Sequence, residues 1–191
     1  MKTFATDFIR NVALIGHSGE GKTSLAEAML FETKTIDRLG KVDDGSATMD
    51  FDDEEIKRKI SISMALGYAI HKGTKINILD VPGFFDFEGE MVAALKAADS
   101  AIVVTSASGS LTVGTEKALE MCLEKSVPAF IFVNAVNKEN SDFMGTVDAI
   151  TAKYSKVVPI ELPIMEGGKM VGYVDVFTGE GFALDGKSMA V

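Results

Sequence analysis

The residues best suited to chemistry are Gly16-His17-Ser18-Gly19-Glu20-Gly21-Lys22-Thr23, which satisfy the pattern G-x-x-x-x-G-K-[ST] without a mismatch. The chemistry is phosphate binding. The glycines let the backbone curl until several N–H groups point inward at an anion, and a helix that starts there adds positive potential. Lys22 would reach the outer phosphates of a nucleotide, the Thr23 hydroxyl would ligate Mg²⁺, and Ser24 would close the nucleotide-binding run. A glycine-rich turn that holds nothing is the plainer alternative. The flanks favour the phosphate loop: residues 11–15 form the short apolar run of a buried strand, and Leu25, Ala28 and Met29 recur at helical spacing.

Those flanks belong to a longer alternation. After a strand over 11–15 and a helix over 22–31, residues 34–59 are polar and irregular, which is long for a connection and suggests a functional loop. Its end, residues 52–59, sets acids four positions before bases, as on a solvated helical turn. Strands are expected over 60–68 and 75–80, joined by a turn at His71-Lys72-Gly73. Helices follow over 91–98, 115–124 and 143–154. Between them lie strands over 101–105 and over 128–133, the latter without alternation and so expected to be covered on both faces. The alternation predicts an α/β fold, a three-layer sandwich of P-loop type with a mostly parallel central sheet and its ligand at the strands' C-terminal ends. Beyond about residue 155 the order changes to short strands, over 157–162 and 170–176.

Composition narrows the classes. With 191 residues, 47% apolar and 25% charged, the chain can bury a substantial core. A net charge of −9 argues against a general nucleic-acid coat. Cys122 is the only cysteine, so no internal disulfide forms, and a thiol in a helical pattern reads as core filling, as do most of the ten methionines. Residues 1–10 carry no signal-like apolar core, and no apolar run is long enough to span a bilayer, so a cytoplasmic setting without a membrane partner is expected.

Three further stretches are similar, in type and place, to those a GTPase carries. Asp80-Val81-Pro82-Gly83 ends a strand with the D-x-x-G of a switch II loop, where the Asp would hold Mg²⁺ through water and the Gly83 N–H would follow a γ-phosphate. Ile60-Ser61-Ile62 could place the Ser61 hydroxyl on the metal, and Asn134 begins a loop where N-K-x-D would read a base. In this order and spacing the chain resembles the N-terminal G domain of elongation factor G, and more closely its elongation-factor-G-like paralogues. The likeness is also carried by Asp44-Gly45-Ser46-Ala47-Thr48-Met49-Asp50-Phe51 and by Pro159-Ile160-Glu161-Leu162-Pro163-Ile164 with Gly172-Tyr173-Val174-Asp175-Val176.

The resemblance implies a G domain over 1–155 without its last strand and helix, and the beginning of a G′-like β-rich insertion over 156–191, hence a fold incomplete at its C-terminus. It implies GTP and GDP as ligands, Mg²⁺ as cofactor, GTP hydrolysis, and the ribosome as partner. Departures bear on chemistry. Lys59 replaces the glycine of R-G-I-T, Phe84 stands where a histidine would orient the attacking water, and Asn134-Ala135-Val136-Asn137 replaces N-K-M-D. Phosphate and Mg²⁺ binding should survive these changes. Hydrolysis and base choice are less secure, because the Asn137 carboxamide offers guanine one acceptor and one donor where a carboxylate offers two acceptors. A switch module with little turnover or altered base specificity is therefore one alternative, and an ATP-dependent P-loop phosphotransferase is another.

Overall fold

A computed structural model describes residues 3–189 and resolves them into two compact units. One runs to Thr105 and resumes over Thr112–Asn134; the other takes Ser106–Leu111 and the chain from Ala135 on. The first unit carries a five-stranded sheet of β1 (Ile9–Ile15), β2 (Ala65–His71), β3 (Thr74–Asp80), β4 (Ser100–Ser106) and β5 (Ala129–Asn134), in the order β2-β3-β1-β4-β5. β1 runs parallel to β3 and β4, and β2 pairs antiparallel with β3. Its helices are α1 (Lys22–Glu32), α2 (Asp53–Arg58), α3 (Glu88–Ala97) and α4 (Val113–Glu124). This is the α/β architecture with a mostly parallel sheet that the alternation predicts.

β1 is the spine because Ala13, Leu14 and Ile15 lose all exposure, and consecutive strand residues face opposite sides of a sheet. Leu14 packs with Ala26 and Leu30 of α1, with Met49, and with Ala65, Ala69 and Ile78 of the hairpin, so α1 is held against that face. The β2–β3 turn places Lys72 at φ 46° and Gly73 at φ 83°, the two left-handed positions that a two-residue hairpin turn requires.

Three expectations need correction here. The strand expected from residue 60 begins at Ala65, because the N–H groups of Ile62 and Ser63 donate to the Glu55 carboxylate and that of Met64 donates to Glu90, leaving none for a ladder. β5 is not covered on both faces: it is the outermost strand, and Phe130 and Phe132 are exposed. Its unalternating apolar run reflects strand preference more than burial. Residues 52–59 are also only partly a solvated face. Glu54 pairs with Lys57 and Arg58 in solvent, but Glu55 is 1% exposed and closes a capping box with Asp52.

The second unit contains α5 (Phe143–Lys153) and a four-stranded antiparallel sheet of β6 (Glu161–Glu166), β7 (Lys169–Asp175), β8 (Gly181–Ala183) and β9 (Ser188–Met189). The strand expected from residue 157 starts at Glu161, since the Val157 N–H closes a turn on Tyr154 and Pro159 has no N–H to give. Asp142 caps α5 by accepting from the Gly145 N–H, while its own N–H donates to the Ala107 carbonyl. Among the described residues no helix is long and apolar enough to cross a membrane.

Candidate functional site

The phosphate-binding pattern lies where β1 hands over to α1. Gly16 sits at φ 134°, and a Cβ there would run into the Val104 carbonyl oxygen, so the chain can turn this close to β4 only without a side chain. Gly21, at φ 91°, is the N-cap of α1, and a Cβ on it would meet the Asn134 amide. The helical ladder opens with the Leu25 N–H on the Gly21 carbonyl, so the N–H groups of Lys22, Thr23 and Ser24 precede the first helical bond. His17, Ser18, Gly19 and Glu20 complete the loop. That is a ready anion cradle.

Lys22 is buried at the base of the loop. Its Nζ donates to the Gly16 carbonyl at 3.2 Å and the His17 carbonyl at 2.7 Å. Burial pulls its ammonium down to about 8, against the attraction of the Asp80 carboxylate and, less strongly, that of Glu20. Asp80 ends β3, paired in register with Leu14, and is 1% exposed, yet neither carboxylate oxygen has a hydrogen-bond partner. Burial pushes its carboxyl up to about 7; the nearby Thr23 hydroxyl and Lys22 oppose this without closing a hydrogen bond on it, and Asp50 and Glu27 add to the rise.

Across from these groups the long loop supplies oxygen. The Ser61 hydroxyl lies 3.2 Å from that of Thr23 and donates to Asp50 Oδ1 at 2.8 Å, while Asp50 Oδ2 is buried without a partner. Burial, opposed by the Ser61 hydroxyl, raises the Asp50 carboxyl as well, and Glu55 and Glu27 add to it. The structure thus brings Thr23, Ser61 and Asp80 together as the sequence predicts, and adds Asp50. Asp50 stands in the run from Asp44 to Phe51 that carries the resemblance, but nothing in that run placed its carboxylate at the metal. Two hydroxyls and two under-satisfied carboxylates form an all-oxygen donor set, which fits Mg²⁺ with phosphate and water completing the shell. Among the described residues no three His, Cys, Asp or Glu side chains are grouped to hold a metal by themselves.

Buried Glu27 of α1 holds the loop in place. Its carboxylate accepts from the N–H groups of Gly40, Thr48 and Met49 and from the Thr48 hydroxyl. Sequence reading passed over it, because a lone acid in a helix carries no pattern.

Gly83 lies hard against the phosphate loop: a Cβ there would stand 2.5 Å from the Ser18 nitrogen and would clash with the Lys22 ammonium. Its neighbour Phe84 is 39% exposed rather than packed away, and it carries no group that can hold a proton or a water. Phe85 instead faces His17, ring centroids 6.1 Å apart, with the Lys117 ammonium 5.4 Å from its own. Asn134, at the end of β5, donates from Nδ2 to the Glu20 carbonyl at 2.9 Å and so ties the end of that strand to the phosphate loop. Asn137 lies in the turn that follows, where the Lys138 N–H closes on the Ala135 carbonyl, and belongs to the second unit. Cys122 is buried, and burial raises its thiol to about 11, as suits a packing residue.

Residues 7–183 match the family described as the elongation factor Tu GTP binding domain. The "Elongation factor G-like protein" of Mycobacterium tuberculosis is 34% identical over 160 residues, covering 83% of this chain and 22% of that protein. The mitochondrial ribosome-releasing factor 2 of Anopheles gambiae is 33% identical over 186 residues, covering 97% of this chain and 25% of that one. A crystal structure of a Thermus thermophilus protein superposes with a TM-score of 0.91 at 35% identity, over 96% of this chain and 28% of the other. This chain therefore spans about a quarter of the length of the curated relatives it matches. On the match over 7–183 and this level of identity, the chain belongs to the family of the elongation factor Tu GTP-binding domain, as an elongation-factor-G-like member of it.

Proposed function

We propose that this chain binds GTP and GDP with Mg²⁺ and is the nucleotide switch of an elongation-factor-G-like translation factor that hydrolyses GTP on the ribosome, in the cytoplasm. The observation that carries the reading is the buried Asp80 carboxylate, left without a hydrogen bond beside Lys22 and Thr23 at the mouth of the phosphate loop. A group so costly to bury is explained by a cation that takes it up. The loop N–H groups from Gly16 to Ser24 and the Lys22 ammonium would hold phosphate. Thr23 and Ser61 would hold Mg²⁺ directly, with Asp80 and Asp50 around it. Mg²⁺ there would neutralise charge on the outer phosphates. Gly83 would give its N–H to a γ-phosphate, and Asn134 and Asn137 would face the base. Residues 1–155 are read as the G domain and 156–191 as the start of a G′-like insertion, a reading supported by the antiparallel strands from Glu161 on.

The test is competition among GTP, GDP, XTP and ATP for the chain with and without Mg²⁺, joined to turnover of the whole protein with and without ribosomes. Mg²⁺-dependent preference for GTP and GDP over ATP is expected, with turnover that rises on ribosomes. Preference for ATP would contradict the reading. A second reading, a switch with little turnover of its own, is favoured by Phe84, which cannot orient a water. Phe84→His should then raise ribosome-stimulated turnover, and an unchanged rate would put the water-positioning group elsewhere.

A further inference from the structure

Glu20 is an acid inside the phosphate loop itself, between two glycines held at φ 80° and 91°. It is 6% exposed, its Oε2 is buried without a hydrogen-bond partner, and no ion pair is formed by its carboxylate among the described residues. Its carbonyl accepts from the Asn134 amide, which fixes the backbone that carries the side chain. It is close enough to Lys22 to help keep that ammonium charged. Burying a carboxylate oxygen without a partner is costly.

Two electrostatic effects on a bound polyphosphate oppose each other. The carboxylate favours the charged form of Lys22, but Lys22 is already mostly charged near neutral pH, and bound phosphate would keep it so. Meanwhile the same negative charge repels every phosphate charge in the loop. That repulsion acts on two or more charges and is screened little by salt, because the group is buried. Repulsion wins.

On the reading that this loop binds nucleotide phosphates, we propose that Glu20 is an affinity-setting residue, a buried negative charge that keeps the grip on polyphosphate weak and release fast. The effect grows with the number of phosphate charges and spares the nucleoside. One charge removed a few ångströms away, at an effective dielectric of about 20, should raise affinity by about tenfold or more even with Mg²⁺ on the phosphates offsetting part of the repulsion, and most of that should appear in the dissociation rate.

The test compares the parent chain with Glu20→Gln, which keeps the shape, and Glu20→Ala, which removes the side chain. GTP, GDP and guanosine affinities and GDP dissociation rates are measured at about pH 7.5 with Mg²⁺, and thermal melts report the fold. Both variants should bind GDP at least about tenfold more tightly, gain at least as much for GTP, release GDP more slowly by a similar factor, and bind guanosine as the parent does. Unchanged or weaker GDP binding in a folded variant overturns the proposal, as does an equal gain for guanosine, which would signal a packing effect. No GDP or GTP binding by any of the three proteins would sink the phosphate-site reading itself and this inference with it.

Discussion

In the five-stranded sheet three consecutive residues of β1, Ala13, Leu14 and Ile15, lose all exposure, whereas β6 of the four-stranded sheet has no buried residue, and β7 and β8 bury only Gly172 and Gly181. The first sheet is stabilised by what packs on it: α1, the hairpin and Met49 converge on Leu14. The second relies on neighbouring ladders and pairs such as Tyr173 stacked on Phe182, ring centroids 5.4 Å apart. Local ladders over little apolar burial open at low cost, whereas a two-sided core opens only with the whole unit. The phosphate loop and Asp80 both hang from strand ends in the buried sheet, where positioning is stiffest.

Leu14→Ala should separate the behaviour of the two sheets most strongly. It should cost about 3–5 kcal/mol by lost transfer and cavity terms, read as a lower urea midpoint and faster hydrogen exchange at Val12 to Ile15. Exchange in β7, which little apolar burial should leave fast already, should not change. An equal loss of protection in β7 would mean that the two units unfold as one.

The next effect is electrostatic and belongs to the first unit alone. Asp80 titrates near 7 folded against 3.8 unfolded, so between these values the native chain holds a proton that the unfolded chain has released. Stability therefore falls as pH rises through this window and levels off above about 7, by about 4 kcal/mol in all. Asp80→Asn should flatten the profile, and saturating Mg²⁺ should blunt the fall by taking up the freed carboxylate. A metal-free profile that rises from about pH 4 to 7 and is indifferent to Asp80→Asn would contradict the geometry.

The smallest expected effect is confined to one loop. Glu27→Gln weakens a carboxylate that accepts three backbone N–H groups, at a cost of about 2 kcal/mol. Exchange at Gly40, Thr48 and Met49 should speed up by roughly thirtyfold while β1 keeps its protection. Uniform acceleration across both would show that Glu27 supports the core rather than the loop.

What the sequence made legible was local. The phosphate loop, the D-x-x-G at the end of β3 and Ser61 each announce themselves within a few residues, and the fold brings Thr23, Ser61 and Asp80 to one place. What it hid depends on distant partners. Glu55 reads as one charge in a solvated run, but it is buried by the amides of Ile62 and Ser63, which also delay β2. Asp50 becomes part of the site only because Ser61 returns beside it. The apolar text of β5 does not say that the strand lies at a sheet edge. β8 and β9 are too short to carry any period at all.

Binding of nucleotide phosphate by the β1–α1 loop through Lys22 is open to calorimetric titration of GDP with Mg²⁺ into the parent and Lys22→Ala. Removing a charged donor from the densest negative charge of the ligand should lower affinity by roughly a hundredfold or more, while exchange at Val12 to Ile15 confirms an intact sheet. Equal affinity of the two proteins for GDP would show that Lys22 holds no phosphate.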